Sequence, residues 1–327
     1  MRIVIIATRD LCDPMAGPAE HYTHEIARRW AAAGHEVRLF AREVPGRPPE
    51  ETRDGVRVER AGTQRTARRE ARRWYAETRP APDLVLDRLD PRPFDCPAWV
   101  TDAPVVALGL RVGRLTGPTG RWRLRGYRAV PALAVSASAG AALRAHGLTD
   151  VSVVPAGAEP ALLPAVRRAP VPTLVYTGHE PRDVLRAHQL LRGRVRDAQL
   201  WFVGAGRHAD RLTGPGVRVF AESRRAELTA RAHAQVLTSA TEDWPLAVDE
   251  AAALGTPTIG YDRPGLRDAV PAARGVLTAP TADALADGLL HHLPGWTARP
   301  AAGGWAGGAL AWDAVAEAVL EAATSAH

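Results

Sequence analysis

Short apolar runs alternate with amphipathic segments along this chain, and that alternation limits the folds open to it. Residues 3–7 form a near-continuous apolar run, and residues 37–40 form the next one. Between them, residues 19–33 place Ile26 and Trp30 on one helical face. A run that is apolar at every position is typical of a parallel strand covered on both faces. The strand–helix–strand order predicts a right-handed crossover and a doubly wound α/β sheet.

The same alternation continues and then restarts in a second series. Further strands of the first series are predicted at residues 56–58, 84–86, 105–108, 133–135 and 151–154, with a basic helix at 64–78. The second series predicts strands at residues 173–177, 200–203, 217–220, 236–238 and 258–260, and helices at 182–191, 226–234 and 246–254. Residues 155–172, between the two series, are rich in Pro and Ala and have the composition of a linker.

The length supports two domains rather than one. A chain of 327 residues is long enough for two domains of ordinary size. We expect residues 1–165 to form the first α/β domain and residues 172–310 the second, followed by an amphipathic helix near the C-terminus.

The N-terminus runs straight into a strand without a signal-peptide cleavage pattern, and the chain lacks the ~18 uninterrupted apolar residues of a membrane span. These features favour a cytoplasmic location.

Two glutamates flank the start of a predicted helix in the second domain. Glu242 lies in the preceding loop, and Glu250 lies eight residues later on the helix at 246–254, which Gly255-Thr256-Pro257 follows. The free N–H groups of a helix N-terminus favour a diphosphate, and a carboxylate further along can accept the ribose hydroxyls. A chance pair on a solvated helix face is the alternative for the glutamates alone. Their place in a strand–loop–helix–strand unit is far more specific.

This segment resembles the family-4 retaining glycosyltransferases with the GT-B fold, whose signature is E-x7-E followed by Gly-Thr-Pro. Residues 13–21 resemble the family's N-domain glycine loop, and Trp312-Asp313 resembles the start of its last helix. The resemblance covers nearly the whole chain and is weakest across residues 60–130. It implies two Rossmann-like doubly wound domains facing a central cleft, with the helix at 311–327 crossing back to the N-domain. It also implies an acceptor-side first domain, a nucleotide-sugar-binding second domain, and sugar transfer with retention.

The resemblance assigns roles to individual residues. Glu250 would hold the nucleotide ribose, and Glu242 would lie near the donor sugar. Gly17 would let the N-domain backbone approach the diphosphate, since a side chain there would collide with it. His21 lies near the same site and joins Glu242 as a catalytic candidate. The backbone of the helix start would surround the sugar and phosphates; these residues are Asp243, Trp244, Pro245, Leu246 and Ala247.

Three departures from the family pattern bear on the chemistry. The family usually has Gly-Arg and then Lys after the first strand of the second domain, whereas this chain has Gly178 and His179 followed by Arg182, which is the best substitute for the clamp. Pro245 replaces a glycine and has no N–H to donate. The usual N-domain histidine has no counterpart near Leu110. These departures motivate an alternative function, a catalytically weak GT-B protein that serves as a binding or partner subunit.

The basic residues are all arginine. The chain has 42 Lys plus Arg and not one Lys or Asn, which favours a GC-rich, actinobacterial type of genome and leaves any phosphate clamp to Arg, His or backbone N–H. The net charge of +6 suggests nucleic-acid binding, but no recognition motif supports it, so no nucleic-acid partner is expected.

Arginines cluster in residues 65–75 and 111–128. Either these clusters contact a membrane surface or a phosphorylated acceptor, or they are solvated faces.

No metal and no cofactor other than the donor substrate is expected. His21 and His24 stand three apart on a helix, but no third ligand accompanies them. Gly204-Ala205-Gly206 follows a strand but lacks the rest of a dinucleotide fingerprint, so a plain turn is the better interpretation. The expected partners are a nucleotide-sugar donor and a hydroxylated or phosphorylated acceptor, either a small natural product or a cell-envelope glycan.

Overall fold

The computed structural model describes residues 1–89, 92–114, 119–158, 166–178, 180–204, 212–238, 244–298 and 310–325. Within these residues the strands are β1 (Arg2–Ile6), β2 (Glu36–Ala41), β3 (Glu50–Arg53), β4 (Val56–Arg60), β5 (Leu84–Arg88), β6 (Val105–Gly109), β7 (Ala132–Ala134), β8 (Val151–Val153), β9 (Gly157–Ala158), β10 (Thr173–Tyr176), β11 (Gln199–Val203), β12 (Val217–Phe220), β13 (Ala234–Leu237), β14 (Thr258–Tyr261), β15 (Val276–Thr278) and β16 (Leu310–Ala311). The α-helices are α1 (Pro18–Ala32), α2 (Ala67–Glu77), α3 (Gly120–Arg123), α4 (Ala137–Ala145), α5 (Pro181–Arg192), α6 (Arg225–Arg231), α7 (Leu246–Ala253), α8 (Leu266–Ala272), α9 (Ala282–Thr297) and α10 (Trp312–Thr324).

The chain divides into two compact units. Unit 1 contains Met1–Gly157 together with the C-terminal segment Leu310–His327, and unit 2 contains most of the chain between them. In unit 1 the strands lie in the order β3-β4-β2-β1-β5-β6-β7-β8. All its neighbouring strands are parallel except β3, which pairs antiparallel with β4 at the edge. The central strands β1 and β5 are almost wholly buried, as their apolar runs predict.

Helix α1 begins directly after a glycine that serves as its N-cap. Gly17 is the N-cap, Pro18 occupies the first turn, and the Gly17 N–H donates to Glu20 Oε2 at 2.8 Å. A proline in the first turn loses no helical hydrogen bond, because its N–H would have no intrahelical partner. Gly34, with φ of 87°, follows the helix end and turns the chain into β2. The glycine loop is therefore held in place by its own helix.

The C-terminal helix packs on α1. Trp30 Nε1 donates to the Ala316 carbonyl at 2.8 Å, and Arg29 Nε donates to Asp313 Oδ1 at 2.6 Å. Trp312 and Val315, on the same face of α10, are buried. Just before α10, β16 pairs with β9. The expectation that the last helix returns to the first domain is confirmed.

Unit 2 is a six-stranded parallel sheet in the order β12-β11-β10-β13-β14-β15. In chain order this is 3-2-1-4-5-6, the arrangement of dinucleotide-binding doubly wound sheets. Helices α5 and α9 pack together over one face, and their buried side chains join those of Leu174, Val236 and Ile259 in one core. The two doubly wound α/β units confirm the predicted fold class.

One element boundary in unit 2 differs from the sequence expectation, and three elements are additional to it. The helix predicted at residues 226–234 is wrong at its end, since α6 stops at Arg231 and Ala234 already begins β13. Ala232 adopts an extended backbone, and Ala234 and Val236 are buried in the core, so tertiary burial overrides the helical preference of alanine. Helices α8 and α9 and strand β15 were not predicted, although Thr281 caps α9 by accepting from the Ala284 N–H. Among the described helices, none is both long and apolar enough to cross a bilayer.

Candidate functional site

The sheet of unit 2 has a topological switch point between β10 and β13. These strands are parallel neighbours, with Tyr176 opposite Val236, and the chain leaves them towards opposite sides of the sheet order. Segments that follow the two strands at their carboxyl ends therefore diverge, and a switch point of this kind is where open α/β sheets bind ligands. The predicted donor residues that follow β10 and β13 lie on these two segments.

Gly178 lies directly over the side chain of Tyr176. Tyr176 is fully buried, its hydroxyl accepts from the Glu180 N–H at 3.1 Å, and it lies 3.3 Å from Thr238 Oγ1. Burial raises the pKa of Tyr176, so the hydroxyl stays protonated. A Cβ on Gly178 would collide with the Tyr176 hydroxyl and ring. Only glycine lets the chain pass this close, so the loop after β10 has a fixed path.

The predicted clamp residue Arg182 lies in the first turn of α5. Pro181 starts this helix, and the Arg182 side chain is exposed. The next residue, Asp183, accepts from the Tyr261 hydroxyl at 3.0 Å, which ties the helix start to the end of β14. Arg182 is thus a solvent-facing cation on an anchored helix start. His179 lies outside the described residues.

Helix α7 starts at Leu246 and is the next described helix along the chain after β13. Pro245 is the N-cap with an extended backbone, and its carbonyl accepts from the Val248 N–H at 2.9 Å. Trp244 and Pro245 are buried, whereas Leu246 and Ala247 are half-buried. Gln235 of β13 donates to the Ala247 carbonyl at 2.9 Å and joins the helix to the strand. Glu242 and Asp243 lie outside the described residues.

Glu250 is exposed on α7 and pairs with α6. Its Oε2 lies 3.3 Å from Arg225 Nη1, and Arg225 Nη2 also contacts Glu222 Oε1 at 2.5 Å. The Glu222 carboxylate lies against Gly204, where a Cβ would overlap it. Because Gly204 follows β11 and Glu222 follows β12, Glu250 faces the carboxyl ends of those strands. The structure therefore brings Glu250 to the same edge of the sheet as Gly178.

The other two predicted residues, Gly17 and His21, belong to unit 1. A Cβ on Gly17 would lie 3.0 Å from Arg111 Nη2, so the glycine leaves room for that guanidinium. His21 is exposed one turn into α1, and its ring meets that of Trp312 edge-on at 5.8 Å. Gly17 and His21 thus share the start of α1.

A buried ionic cluster beside Gly17 was not predicted from the sequence. The carboxylate of Glu20, wholly buried, lies 2.9 Å from Arg88 Nη2, 3.1 Å from Arg111 Nη2 and 3.4 Å from Arg9 Nε. Arg9 follows β1, Arg88 ends β5, and Arg111 follows β6, so the cluster lies at the switch point of unit 1. Three guanidinium groups thus surround the one buried carboxylate of Glu20. The available signal was Asp87-Arg88, a charged pair that ends the apolar run of residues 84–86.

One group of described side chains has the spacing of a metal site but holds a guanidinium. Ligand atoms of Asp10, Cys12 and Glu51 lie within 4.8 Å of one another. Arg60, almost wholly buried, donates to Asp10 and, at 2.7 Å, to Glu51 Oε1. Its hydrogen bond lowers the pKa of Glu51. The cluster is therefore an arginine–carboxylate network that fixes the loop after β1.

Comparison with known proteins identifies the family that this site resembles. Residues 172–294 match the family described as Glycosyl transferases group 1. No curated protein matches the chain significantly. The resemblance to group 1 glycosyltransferases is thus confirmed over most of unit 2, which contains the switch point, Glu250 and Arg182.

Solved structures of the same fold cover nearly the whole chain. A sucrose-phosphate synthase from Thermosynechococcus elongatus aligns over 98% of this chain and 97% of its own, with TM-score 0.74 and 20% identity. AviGT4, a glycosyltransferase involved in avilamycin A biosynthesis, aligns over 99% and 97%, with TM-score 0.64 and 20% identity. The catalytic domain of starch synthase IV from Arabidopsis thaliana, bound to ADP and acarbose, aligns over 98% and 95%, with TM-score 0.66 and 13% identity. These likenesses establish the GT-B fold.

Proposed function

We propose that this protein transfers a sugar from a nucleoside-diphosphate sugar to an acceptor with retention of configuration, and that unit 2 binds the donor. The observation that carries the proposal is the switch point between β10 and β13. There the Gly178 loop follows β10 and helix α7 is the next described helix after β13, and both lie within the segment that matches the group 1 glycosyltransferases. Starch synthase IV, which shares the fold, was solved with ADP bound.

In this proposal each group at the switch point has a distinct task. The backbone N–H groups of the first turn of α7 bind the diphosphate, because they lack helical partners and carry the positive end of the helix dipole. Arg182 adds a charge-assisted contact from the start of α5. Glu250 accepts the ribose hydroxyls, and Arg225 holds its carboxylate in place when the site is empty. The roles of Glu242, Asp243 and His179 rest on the family resemblance alone.

The chemistry requires positioning more than a nucleophilic side chain. The bond between the anomeric carbon and the diphosphate oxygen breaks, and the acceptor oxygen bonds to the anomeric carbon on the same face. The acceptor proton passes to the departing phosphate. Negative charge then grows on the diphosphate, where helix N–H groups and arginines stabilise it. We propose no resident metal, because these cations supply the charge, and His21 and Glu242 act by orienting the two substrates.

The acceptor belongs to the same proposal. The small natural products and the cell-envelope glycans remain the two classes we propose, with AviGT4 as the neighbour that acts in the biosynthesis of a natural product. Either class would be hydroxylated, and the acceptor could carry phosphate. A cytoplasmic location fits a donor that is made there.

A screen of nucleoside diphosphates and their sugar conjugates tests the proposal. Ligands that bind only the native state raise the thermal midpoint, by an amount that grows with ligand concentration over Kd. We expect one base to stabilise the protein in millimolar screens and its sugar conjugate to be hydrolysed slowly without acceptor. A screen in which no nucleoside diphosphate raises the midpoint would refute donor binding.

One observation favours a second candidate, a GT-B protein that binds the donor without turning it over. Pro245, at the N-cap of α7, removes one backbone donor from the start of the helix. Stabilisation by a nucleotide sugar that stays intact over days, with every acceptor tried, would select this binding function. Replacing Pro245 with Gly would then increase hydrolysis if the missing N–H is the cause.

A further inference from the structure

The two arginine-rich segments of the sequence converge on one cavity in unit 1. The cavity has a volume of about 660 Å³, and its charged and aromatic lining consists of Arg68, Arg72, Arg92, Trp122, Arg123 and Arg125 with Asp95. Arg68 and Arg72 come from α2, and Trp122 to Arg125 from the segment that begins with α3. The convergence separates this surface from a solvated arginine face, because it encloses space large enough for a small molecule.

The charge of the cavity is strongly positive. Five arginines line it, and Asp95 is the one carboxylate among its described lining residues. Asp95 is paired with Arg68. The described lining therefore carries more guanidinium groups than carboxylates, an arrangement that favours a multiply charged anion. Arginine binds phosphate oxygens in a bidentate fashion, so phosphate esters match this lining better than a single carboxylate does.

Hydrogen bonds of a buried tyrosine hold the part of the cavity lining that carries Asp95. The buried Tyr127 hydroxyl donates to Asp87 Oδ2 at 2.5 Å and accepts from the Asp95 N–H at 2.7 Å. On α2, the guanidinium of Arg72 lies over the ring of Trp99, 5.8 Å from its centroid. Side chains and backbone held in this way lose little freedom when a ligand binds, which favours affinity.

Trp122 forms an apolar side of the same cavity. It is 76% exposed, the highest exposure among the large apolar side chains that the structure describes. An indole left in water beside a cationic cavity is suited to covering an apolar or ring-shaped part of a ligand. The ligand class that fits both features is an organic phosphate, with its phosphate on the arginines and its organic part on Trp122.

The cavity leads towards the glycine loop of unit 1. A second cavity of about 530 Å³ shares Arg68 and Arg92 with the first and reaches Arg9, Arg42 and Met15. Arg9 belongs to the Glu20 cluster beside Gly17. The lining segments follow β4, β5 and β6, which are parallel in one sheet, so both cavities open at the carboxyl edge where doubly wound domains bind ligands.

We propose that the arginine–Trp122 cavity of unit 1 binds a phosphate ester, and that this group is the anionic anchor of the acceptor. The second clause rests on the proposed transferase function, whereas phosphate binding does not. The phosphate ester belongs either to a soluble molecule or to a lipid headgroup, and both sources present the same chemistry to the cavity.

Two double variants of α2 form a matched test. Arg68→Ala with Arg72→Ala removes two lining arginines, whereas Arg69→Ala with Arg73→Ala removes two exposed arginines that do not line the cavity. Both variants lose the same charge from the same helix. Phenyl phosphate, titrated by calorimetry, is the soluble probe, with phenol as the neutral control. Vesicles of phosphatidic acid in phosphatidylcholine are the lipid probe, with pure phosphatidylcholine as their control.

We expect the cavity variant to bind phenyl phosphate about a hundredfold more weakly and the surface variant to bind it nearly as wild type, since each of the two lost charge-assisted bonds costs about tenfold. A loss of binding that is confined to the cavity variant and is seen only with the phosphatidic acid vesicles supports a lipid source. Arg125→Ala and Trp122→Ala, at an exposed rim, give the same readout should the double variant unfold. Equal weakening in both double variants, or no binding of either probe, overturns the proposal.

The two proposals fail separately. The cavity variant is expected to keep the thermal shift given by nucleoside diphosphates, because those bind unit 2. If nucleoside diphosphates give no thermal shift with the wild-type protein while phenyl phosphate still binds selectively, the transferase proposal is refuted and the phosphate site stands. The reverse result would refute the phosphate site alone.

Discussion

The hydroxyl of Tyr176 lies 3.3 Å from Oγ1 of Thr238 and joins the ends of β10 and β13 where the strand order of unit 2 reverses. The same hydroxyl accepts from the N–H of Glu180, so one buried tyrosine fixes the strand end and the turn into α5. The two strand ends and the turn into α5 are therefore held together by the protein itself.

Replacing Gly178 with alanine is expected to disturb this arrangement. The new Cβ would meet the hydroxyl and ring of Tyr176, which are buried and cannot swing aside. We expect a loss of about 1–3 kcal/mol of unfolding free energy, typical of overpacking, and a smaller thermal shift with nucleoside diphosphates. Gly295→Ala, whose Cβ meets nothing within 4 Å, is the control and should leave stability unchanged or raise it. Full stability and full nucleotide binding in the Gly178 variant would show that the loop does not need this path.

Glu250→Gln is expected to weaken nucleoside-diphosphate binding by about 1–3 kcal/mol, because charge-assisted bonds to the ribose hydroxyls are lost. The free energy of unfolding should hardly change, since the ion pair of Glu250 with Arg225 is solvent-exposed. Calorimetric titration measures the affinity. Glu227→Gln, another exposed carboxylate paired with arginine, serves as the control. Equal affinities in both variants would remove Glu250 from the donor site.

Glu20→Ala is expected to destabilise unit 1 by about 3–5 kcal/mol, the range for a buried ion pair that loses one partner. Arg88, wholly buried, would be left without the carboxylate that lies 2.9 Å from its Nη2. Denaturant titration gives the difference. Glu317→Ala, an exposed change on α10, should be neutral. A loss below about 1 kcal/mol for Glu20→Ala would mean that solvent or an anion already balances the arginines.

Stability should fall when the pH drops below the ordinary histidine pKa of 6.5. Burial lowers the pKa of His188 and of His233, with Arg192 and Arg168 respectively adding repulsion. The unfolded chain then binds more protons than the native state, so stability is complete above 6.5 and is lost as the pH falls towards the native pKa values. The thermal midpoint measured from pH 8 to pH 5 records the effect.

A double variant isolates these two histidines. His188 Nε2 contacts the Ala198 carbonyl and His233 Nδ1 accepts from the Thr173 N–H, so His188→Gln and His233→Asn keep a polar atom at each position without a titrating ring. The thermal midpoint of the double variant should depend less on pH between pH 7 and pH 5 than that of the wild-type protein. An unchanged slope would assign the effect to other groups.

The sequence predicted local alternation well and long-range convergence poorly. The strand–helix pattern and the start of α7 before Glu250 depend on neighbouring residues, which the chain displays directly. The Glu20 cluster combines Arg9, Arg88 and Arg111, which lie on three separate segments, and no local pattern relates them. The arginine-rich segments were recognised singly, but only the sheet brings Arg72 and Trp122 to one cavity.

The boundary of β13 was misjudged for a different reason. Alanine and arginine dominate residues 225–234 and favour helix, yet Ala234 is buried between neighbouring strands. Its conformation is decided by β10 and β14, whose positions no short window of sequence contains.

The packing of α10 on α1 has a consequence for the order of events during synthesis. Unit 2 is nearly continuous in the chain and can close its core once residue 298 has left the ribosome. Unit 1 begins first but stays open at the Trp30 side until Ala316, nearly three hundred residues later, is made. The half that is translated earliest is therefore the half that is finished last, and its unfinished flank is where chaperones would be expected to bind.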